Sequence, residues 1–183
     1  FSEAEECFSI VKYKPGMKSV WIEMQKAAGQ FEGYSDADIA DYFEKTFLYD
    51  SSEIDERCFF LKDNVEEAYI GTCCAWFSNK GKRIVPVLHW LAVVPTHRNR
   101  GCARMLITYV VKYFEQKYEK QAVYLHTQPE SYQAIKLYND FGFNITQEDS
   151  YGHAVNEYED AMEILKEVMN SEAYKRLKNT AVQ

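Results

Sequence analysis

The chain has 183 residues, of which 46% are hydrophobic and 27% charged, so we expect one globular domain with a sizeable core. A net charge of -7 argues against a nucleic-acid partner, because such proteins carry a basic surface. No apolar run approaches the roughly 20 residues that cross a bilayer, no secretory leader precedes the first charges, and the five cysteines are odd in number. We therefore expect a cytoplasmic protein with reduced thiols and no membrane partner. Because the sequence starts at Phe1, it does not tell whether the native N-terminus is complete.

The first part of the chain predicts one strand and two helices. An alternating pattern over 8–13 indicates a strand, and apolar residues at helical spacing over 17–28 indicate a helix. A loop over 29–34 follows. Ser35 and Asp38 then resemble a capping box at the start of a second helix.

From residue 58 the pattern changes to strands. The segments 58–62 and 68–77 predict an antiparallel pair, and Gly71 within the second one indicates a bulge or a close backbone approach. The remaining predicted elements are a strand from Val87, a helix from Gly101 to about Tyr118, a strand over 122–127, a helix from Pro129 to Gly142, a strand over 143–146 and a terminal helix over 154–177. The expected fold class is α+β: a central mixed, mostly antiparallel sheet of about six strands with helices on both faces and a C-terminal helix.

The stretch over 88–106 predicts a strand, a short turn and the start of a helix. This arrangement gathers unpaired backbone N–H groups and the positive end of a helix dipole at one point, which suits a phosphate. Gly101 allows a close backbone approach, and Arg98, Arg100 and Arg104 add guanidinium groups that match phosphate geometry. We therefore expect a diphosphate-binding loop.

Two motifs resemble those of the GNAT (GCN5-related) N-acetyltransferases. The pattern Arg-x-x-Gly-x-Ala at 98–103, after Leu-Ala-Val at 91–93, resembles motif A, and Ala-x-x-Leu-Tyr-x-x-x-Gly-Phe at 134–143 resembles motif B. The resemblance covers about residues 7–147. It implies a single acetyltransferase domain over the whole chain, in which 148–183 is a C-terminal helical extension.

The resemblance also implies acetyl-CoA as co-substrate, with no metal. The backbone of Leu91, Ala92 and Val93 would bind the pantetheine arm and offer an N–H to the thioester oxygen. The residues expected at the diphosphate are Arg98, Asn99, Arg100, Gly101, Cys102, Ala103 and Arg104. Many members carry an asparagine at the start of motif B; this chain has Ser131, which can still form a hydrogen bond.

Tyr138 occupies the position at which family members place a tyrosine hydroxyl near the CoA sulfur, so the resemblance assigns it as general acid. His89 is the candidate base. It lies two residues before Leu91, on the same face of a regular strand. Its position matches one of two strand histidines in the arylalkylamine N-acetyltransferases, whereas the second position is Val87 here. The alternative is a hydrogen-bonded core histidine.

Other side chains are weaker candidates. His126, at the end of the next strand, is a second candidate for the cleft, whereas His97 and His153 are expected to be loop residues. Glu32 and Tyr34 fall in the loop where the family builds its acceptor pocket, so they are candidate substrate contacts. Catalysis by cysteine is less favoured, because free cysteines are usually small buried hydrophobes.

The resemblance implies an acyltransferase that moves acetyl from acetyl-CoA to a primary amine by direct attack in a ternary complex. We expect the amine to belong to a small molecule. The acidic chain is compatible with a cationic amine. Two alternatives stay open. One is acetylation of a protein or peptide amine. The other is a non-catalytic acyl-CoA-binding module, which is favoured by Val87 and Ser131 because both depart from the family pattern. The terminal helix is a candidate surface for a homodimer.

Overall fold

The computed structural model describes residues 7–48, 51–118, 121–152 and 155–183. The described residues form two compact units, one from those within 1–77 and 86–123 and one from those within 78–85 and 124–183. The strands and helices are β1 (Phe8–Lys12), α1 (Lys18–Ala27), α2 (Asp36–Phe47), α3 (Ser51–Arg57), β2 (Cys58–Asp63), β3 (Ala68–Lys80), β4 (Arg83–Val93), α4 (Cys102–Tyr118), α5 (Tyr132–Asp140), α6 (Tyr158–Val168) and α7 (Ser171–Asn179). Short 3₁₀ turns lie at Pro95–His97 and Pro129–Ser131. None of the described helices is both long and apolar enough to span a membrane.

The first unit is built on a four-stranded sheet in the order β1-β2-β3-β4. The pairs β1/β2 and β2/β3 are antiparallel. Successive side chains of β2 point to opposite faces. Phe60 joins the core formed with α1 and α2, whereas the Phe59 ring lies 4.9 Å from that of Tyr109 in α4. Helices therefore cover both faces of the sheet, as the sequence predicts.

The predicted start of α2 is confirmed. The Ser35 hydroxyl accepts a hydrogen bond from the Asp38 N–H at 3.2 Å, and the Asp38 carboxylate accepts one from the Ser35 N–H at 3.1 Å. These two bonds satisfy N–H groups that a helix terminus otherwise leaves unpaired. The sequence did not predict α3, which comes directly before β2.

Gly71 is both a bulge site and a point of close approach. The register of β2 and β3 shifts there, because Leu61 pairs with Gly71 while Lys62 pairs with Tyr69. A Cβ at residue 71 would lie 2.9 Å from the Ala92 carbonyl oxygen and 3.0 Å from the Leu106 side chain. The absence of a side chain is what allows β4 and α4 to pack this closely.

The second unit contains α5, α6 and α7, which share a small core. Its buried members are Ile135, Met162, Leu165, Met169, Ala173 and Leu177. The prediction of one terminal helix over 154–177 is wrong, since α6 and α7 are separate helices. Met169 is extended with ψ 151°, and the Asn170 side chain accepts a hydrogen bond from the Ala173 N–H at 2.8 Å. This new N-cap starts α7 in place of a continuing helix. Residues 153 and 154, and with them the predicted loop residue His153, lie outside the described residues.

Two of the six expected strands are shorter than predicted. Within the described residues, the segments over 122–127 and 143–146 each hold a single bridge position, at Tyr124 and Thr146. Thr146 pairs in parallel with Val182 near the chain end. The fold class is confirmed, with four full strands in place of about six.

Candidate active site

The turn between β4 and the first turn of α4 is the segment predicted to bind a diphosphate. We call residues 98–104 the phosphate loop after this prediction. Asn99 (φ 60°) and Gly101 (φ 81°) adopt left-handed conformations. The Met105 N–H donates to the Gly101 carbonyl at 3.0 Å, so the three N–H groups before it lie in the first turn, where an α-helix offers no acceptor. A Cβ at Gly101 would meet nothing within 4 Å, so the loop leaves room for close backbone contact with an anion.

The arginines of this loop are placed differently from one another. Arg98 donates from Nη2 to the Ala28 carbonyl at 3.1 Å, and Ala28 is the C-cap of α1. The Arg100 guanidinium carbon lies 5.6 Å from the centre of the Phe8 ring. Arg104 lies in the first turn of α4. Arg98 thus stabilises the negative end of the α1 helix dipole, a contact that no local pattern in the sequence predicts.

The phosphate loop is preceded by a buried pair that sequence reasoning missed. His97, expected to be a loop residue, is 3% exposed, and its Nε2 lies 3.3 Å from a carboxylate oxygen of Asp63 at the end of β2. The other Asp63 oxygen accepts from the N–H groups of Val65 at 2.8 Å and Glu66 at 3.0 Å. Hydrogen bonds from the Glu66 and Val65 N–H groups and from His97 keep the pKa of Asp63 below its ordinary value.

This pair also belongs to a set of three potential metal ligands. Asp63, Glu66 and His97 each offer one atom within 4.8 Å of the others. Both Asp63 oxygens are already hydrogen-bonded, and the Thr96 hydroxyl lies 2.9 Å from Nδ1 of His97. The internal hydrogen bonds therefore account for the cluster without an ion.

Strand β4 is irregular where the cofactor-binding backbone is predicted. Trp90 is left-handed with φ 53°, and its carbonyl accepts a hydrogen bond from Nε2 of buried Gln25 at 3.1 Å. The His89 and Trp90 rings lie 5.0 Å apart, which adjacent side chains of a regular strand do not permit. The regular alternation expected from His89 to Leu91 is therefore interrupted at Trp90. The role of His89 as a base stays a prediction.

The backbone of Leu91, Ala92 and Val93 follows this irregularity. Among the described strands, β4 is the last one of the sheet, so the outward-facing groups of its backbone are not used in pairing with β3. An edge of this kind can offer N–H and C=O groups to a ligand.

Glu32 and Tyr34 lie in the loop between α1 and α2, and both are exposed. Tyr34 is 63% exposed, and its ring meets that of Phe31 edge-on at 5.9 Å. Both predicted acceptor contacts thus follow Phe31 within three residues of the same loop, on the unit that carries Trp90.

In the second unit, Tyr138 lies on α5, and its ring packs edge-on against Phe143 at 6.0 Å. The helix ends at Asp140, and Gly142, two residues later, is left-handed with φ 87°. Ser131 lies in the 3₁₀ turn before α5, and its hydroxyl does not cap the helix. Motif B therefore forms a short helix closed by glycine, as its sequence predicts.

Asn139 ties the end of α5 to α7. Its Nδ2 donates to the Phe143 carbonyl at 3.1 Å and to the Thr180 hydroxyl at 3.0 Å, and its Oδ1 accepts from Nε of Arg176 at 3.0 Å. Arg176 also pairs with Asp140. No role was predicted for this asparagine, because its partners on and after α7, Arg176 and Thr180, lie 37 and 41 residues away in the sequence.

His126, the second candidate histidine, also lies in the second unit. Its ring stacks on Tyr151 at 3.8 Å with 5° between the planes. The partial burial lowers the pKa of His126, which favours the neutral imidazole that a base requires.

The cysteines are poor candidates for covalent catalysis. Cys73, Cys74 and Cys102 are buried, and burial raises the pKa of each thiol. Because the thiolate is the nucleophile, these environments disfavour an acyl-cysteine.

Comparison with known proteins identifies the protein family of the chain. The model of the acetyltransferase (GNAT) family matches residues 21–143, about two thirds of the chain. The chain belongs to this family, so the family and enzyme class expected from motifs A and B are confirmed. No curated protein sequence matches the chain.

Solved structures with the same fold share little sequence with the chain. An aminoglycoside N-acetyltransferase, AAC(6')-Iy, solved with CoA, is 18% identical at a TM-score of 0.59, covering 81% of this chain and 92% of that chain. Arabidopsis thaliana Naa50, solved with the bisubstrate analogue CoA-Ac-MVNAL, is 18% identical at 0.58, with coverages of 83% and 93%. Glucosamine-6-phosphate N-acetyltransferase from Arabidopsis thaliana is 13% identical at 0.52, with coverages of 82% and 98%. These three proteins are named for, or were solved with, an aminoglycoside, a peptide analogue and a sugar phosphate, so the fold alone does not define the acceptor.

Proposed function

We propose that the protein is an N-acetyltransferase that moves the acetyl group of acetyl-CoA to a primary amine of a small molecule. The observation that carries this proposal is the phosphate loop, with its two left-handed residues and the N-terminus of α4 directly behind them. Bound CoA in the AAC(6')-Iy structure supports the choice of cofactor. The family match draws on both units, so we infer that they function as one acetyltransferase domain.

The first unit carries the residues that we assign to the diphosphate and the pantetheine arm of acetyl-CoA. The N–H groups at Cys102 and Ala103, with Arg100, Arg104 and the Asn99 turn, would hold the diphosphate. Open space at Gly101 supports this assignment, because a diphosphate needs close access to backbone N–H groups. The outer edge of β4 would hold the pantetheine arm.

Acetyl-CoA supplies an activated thioester. A backbone N–H in the segment 91–93 would stabilise the negative charge that develops on the carbonyl oxygen. His89, or His126 in its place, would accept the proton that leaves the attacking nitrogen, directly or through a water. As the new C–N bond forms and the C–S bond breaks, the Tyr138 hydroxyl would donate a proton to the departing sulfur. Direct attack in a ternary complex needs no enzyme nucleophile, which agrees with the buried thiols.

Isothermal titration of acetyl-CoA at low and high salt tests the cofactor assignment. We expect binding that weakens with salt, and a roughly ten-fold higher Kd for Arg100→Ala, since an arginine–phosphate pair is a charge-assisted contact.

The matched control is Lys112→Ala, which removes the same charge from the exposed side of α4, outside the loop. An equal loss of affinity in both variants would mean that only overall charge matters. Absence of binding by the parent protein would refute the proposed function.

A further inference from the structure

The first unit carries two large aromatic residues in a conformation that such residues rarely adopt. Phe31 (φ 60°) and Trp90 (φ 53°) are both left-handed, although they lie in different elements. Their rings stack face to face, with centroids 4.9 Å apart and planes 17° apart. Such a backbone conformation is strained in a residue with a large side chain, and residues held this way cluster at ligand sites.

Further aromatic rings surround this pair. Tyr42 of α2 meets both rings edge-on, each at 5.3 Å. Trp21 lies beneath, fully buried, at 5.6 Å from Trp90 and 6.0 Å from Phe31. Phe31, Tyr42 and Trp90 are only partly buried, so part of their surface faces solvent. We call these three residues the aromatic patch.

Polar atoms without partners lie beside the patch. Gln25 is 0% exposed, and its Nε2 donates to the Trp90 carbonyl. Within the described residues, Oε1 of Gln25 and the indole N–H groups of Trp21 and Trp90 are buried and have no hydrogen-bond partner. Buried polar groups are nearly always paired, so three orphans around one aromatic cluster point to a polar ligand or to a small opening that admits one.

A carboxylate lies next to the patch in the sequence. Glu32 follows Phe31 directly and is exposed, and no ion pair in the described part of the chain involves it. By contrast, Asp36 is paired with Lys26 and Asp38 is part of the helix cap. One available carboxylate next to aromatic faces favours a ligand with a single cationic group, since π faces attract both cations and aryl rings.

We propose that the acceptor is a monoamine with an aryl or comparably apolar body, which stacks on the aromatic patch beside Glu32. This inference rests on the proposed function and names its substrate class. The patch adjoins the predicted thioester-binding segment, since Trp90 directly precedes Leu91. A polycationic sugar such as an aminoglycoside requires several carboxylates and hydroxyl partners, which the patch does not offer.

The test compares phenethylamine with an aminoglycoside and with a short peptide that has a free N-terminus. Thiol release at saturating acetyl-CoA gives kcat/KM for each acceptor, and tryptophan fluorescence in the presence of CoA measures binding without turnover. Two of the three tryptophans adjoin the site, so bound phenethylamine should change the emission. We expect kcat/KM to be at least about ten-fold higher for phenethylamine than for the other two acceptors.

The variants Tyr42→Leu and Phe31→Leu remove aromatic faces but keep apolar volume. Each should raise KM for phenethylamine about five-fold, with kcat and the acetyl-CoA Kd unchanged. Tyr42 lies in a regular helix, so its variant avoids the backbone strain at Phe31. Tyr109→Leu, which alters an aromatic pair with Phe59 on the other face of the sheet, should leave KM unchanged.

A preference for the aminoglycoside or the peptide would overturn this inference, and so would neither binding nor turnover of phenethylamine by a protein that binds acetyl-CoA. Both results would leave acetyl-CoA as co-substrate and acetyl transfer to an amine standing, and a preference for the peptide would replace the proposed small-molecule acceptor. Failure of the parent protein to bind acetyl-CoA would instead refute the proposed function and this inference with it.

Discussion

The phosphate loop and helix α5 carry the two family motifs in different physical ways. The phosphate loop offers backbone N–H groups, and two left-handed residues, Asn99 and Gly101, set its shape. Helix α5 is regular and offers the side chain of Tyr138. Where backbone groups bind, the φ angles matter more than most side chains; where a side chain acts, its functional group matters and the backbone only has to hold it.

The two regions are also fastened differently. Buried Asp63 and His97 connect the end of β2 to the turn before the phosphate loop. The end of α5 is joined to α7 by the amide of Asn139 and by the ion pair of Asp140 with Arg176. The two attachments should respond differently to substitution and to pH, because the first depends on a buried carboxylate and the second combines a neutral amide with a partly exposed ion pair.

The largest expected effect is on the side-chain motif. Tyr138→Phe removes the hydroxyl proposed as proton donor while keeping the ring that packs on Phe143. We expect kcat to fall about 100-fold, a typical contribution of general acid catalysis, while the acetyl-CoA Kd and the Tm stay close to those of the parent. Steady-state kinetics and titration measure both. An unchanged kcat at saturating substrate would remove Tyr138 from the mechanism.

The next effect is on the backbone motif. Gly101→Ala adds a methyl group at φ 81°, where no protein atom lies within 4 Å but where the diphosphate is proposed to approach. We expect the acetyl-CoA Kd to rise roughly ten-fold, with a loss of only about 1 kcal/mol in unfolding free energy.

Gly16→Ala is the matched control, since Gly16 is also left-handed, at φ 97°, with open space around it. It should cost similar stability and leave the Kd unchanged. Equal Kd values for both variants would show that the approach to residue 101 is not used.

The smallest effect concerns the attachment of the phosphate loop. The pKa of Asp63 is depressed in the folded protein, so its carboxylate stabilises the fold above its unfolded pKa, about 3.9, and that contribution is lost as the pH falls through the lower folded value. Asp63→Asn should therefore lower the Tm by a few degrees at pH 7, with the gap closing below about pH 4. Thermal melts across this pH range measure the gap.

Glu66→Gln serves as the control, because Glu66 is exposed and lies 3.8 Å from His97. Its melting curve should follow that of the parent at each pH. A gap for Asp63→Asn that persists at low pH would mean that shape, and not charge, fixes the turn.

Local patterns predicted much of the fold. The capping box at Ser35, the bulge at Gly71 and the glycine end of motif B each depend on a few neighbouring residues, and all three are present. The family followed from two short motifs whose spacing is itself local. Local patterns did not predict the break at Asn170. A polar residue within an amphipathic pattern can equally face solvent in a continuous helix, whereas here Asn170 caps a new one.

What the sequence could not predict depends on distant partners. The burial of His97 requires Asp63, 34 residues earlier. The left-handed turn at Trp90 is held by Gln25, which precedes it by 65 residues. Neither pairing has a sequence signature. The periodicity of apolar residues predicts which side of an element a residue faces, but not which distant residue it contacts.

The fully buried thiols of β2 and β3 can report how often the sheet opens. Cys58, Cys73 and Cys74 are 0% exposed, and only a thiolate reacts with an alkylating reagent. Alkylation there must wait for the strands to part, so its rate under native conditions counts openings of the sheet. Cys7 is partly exposed, so its alkylation does not require opening of the sheet. Its rate therefore gives the intrinsic reactivity of the reagent in the same molecule.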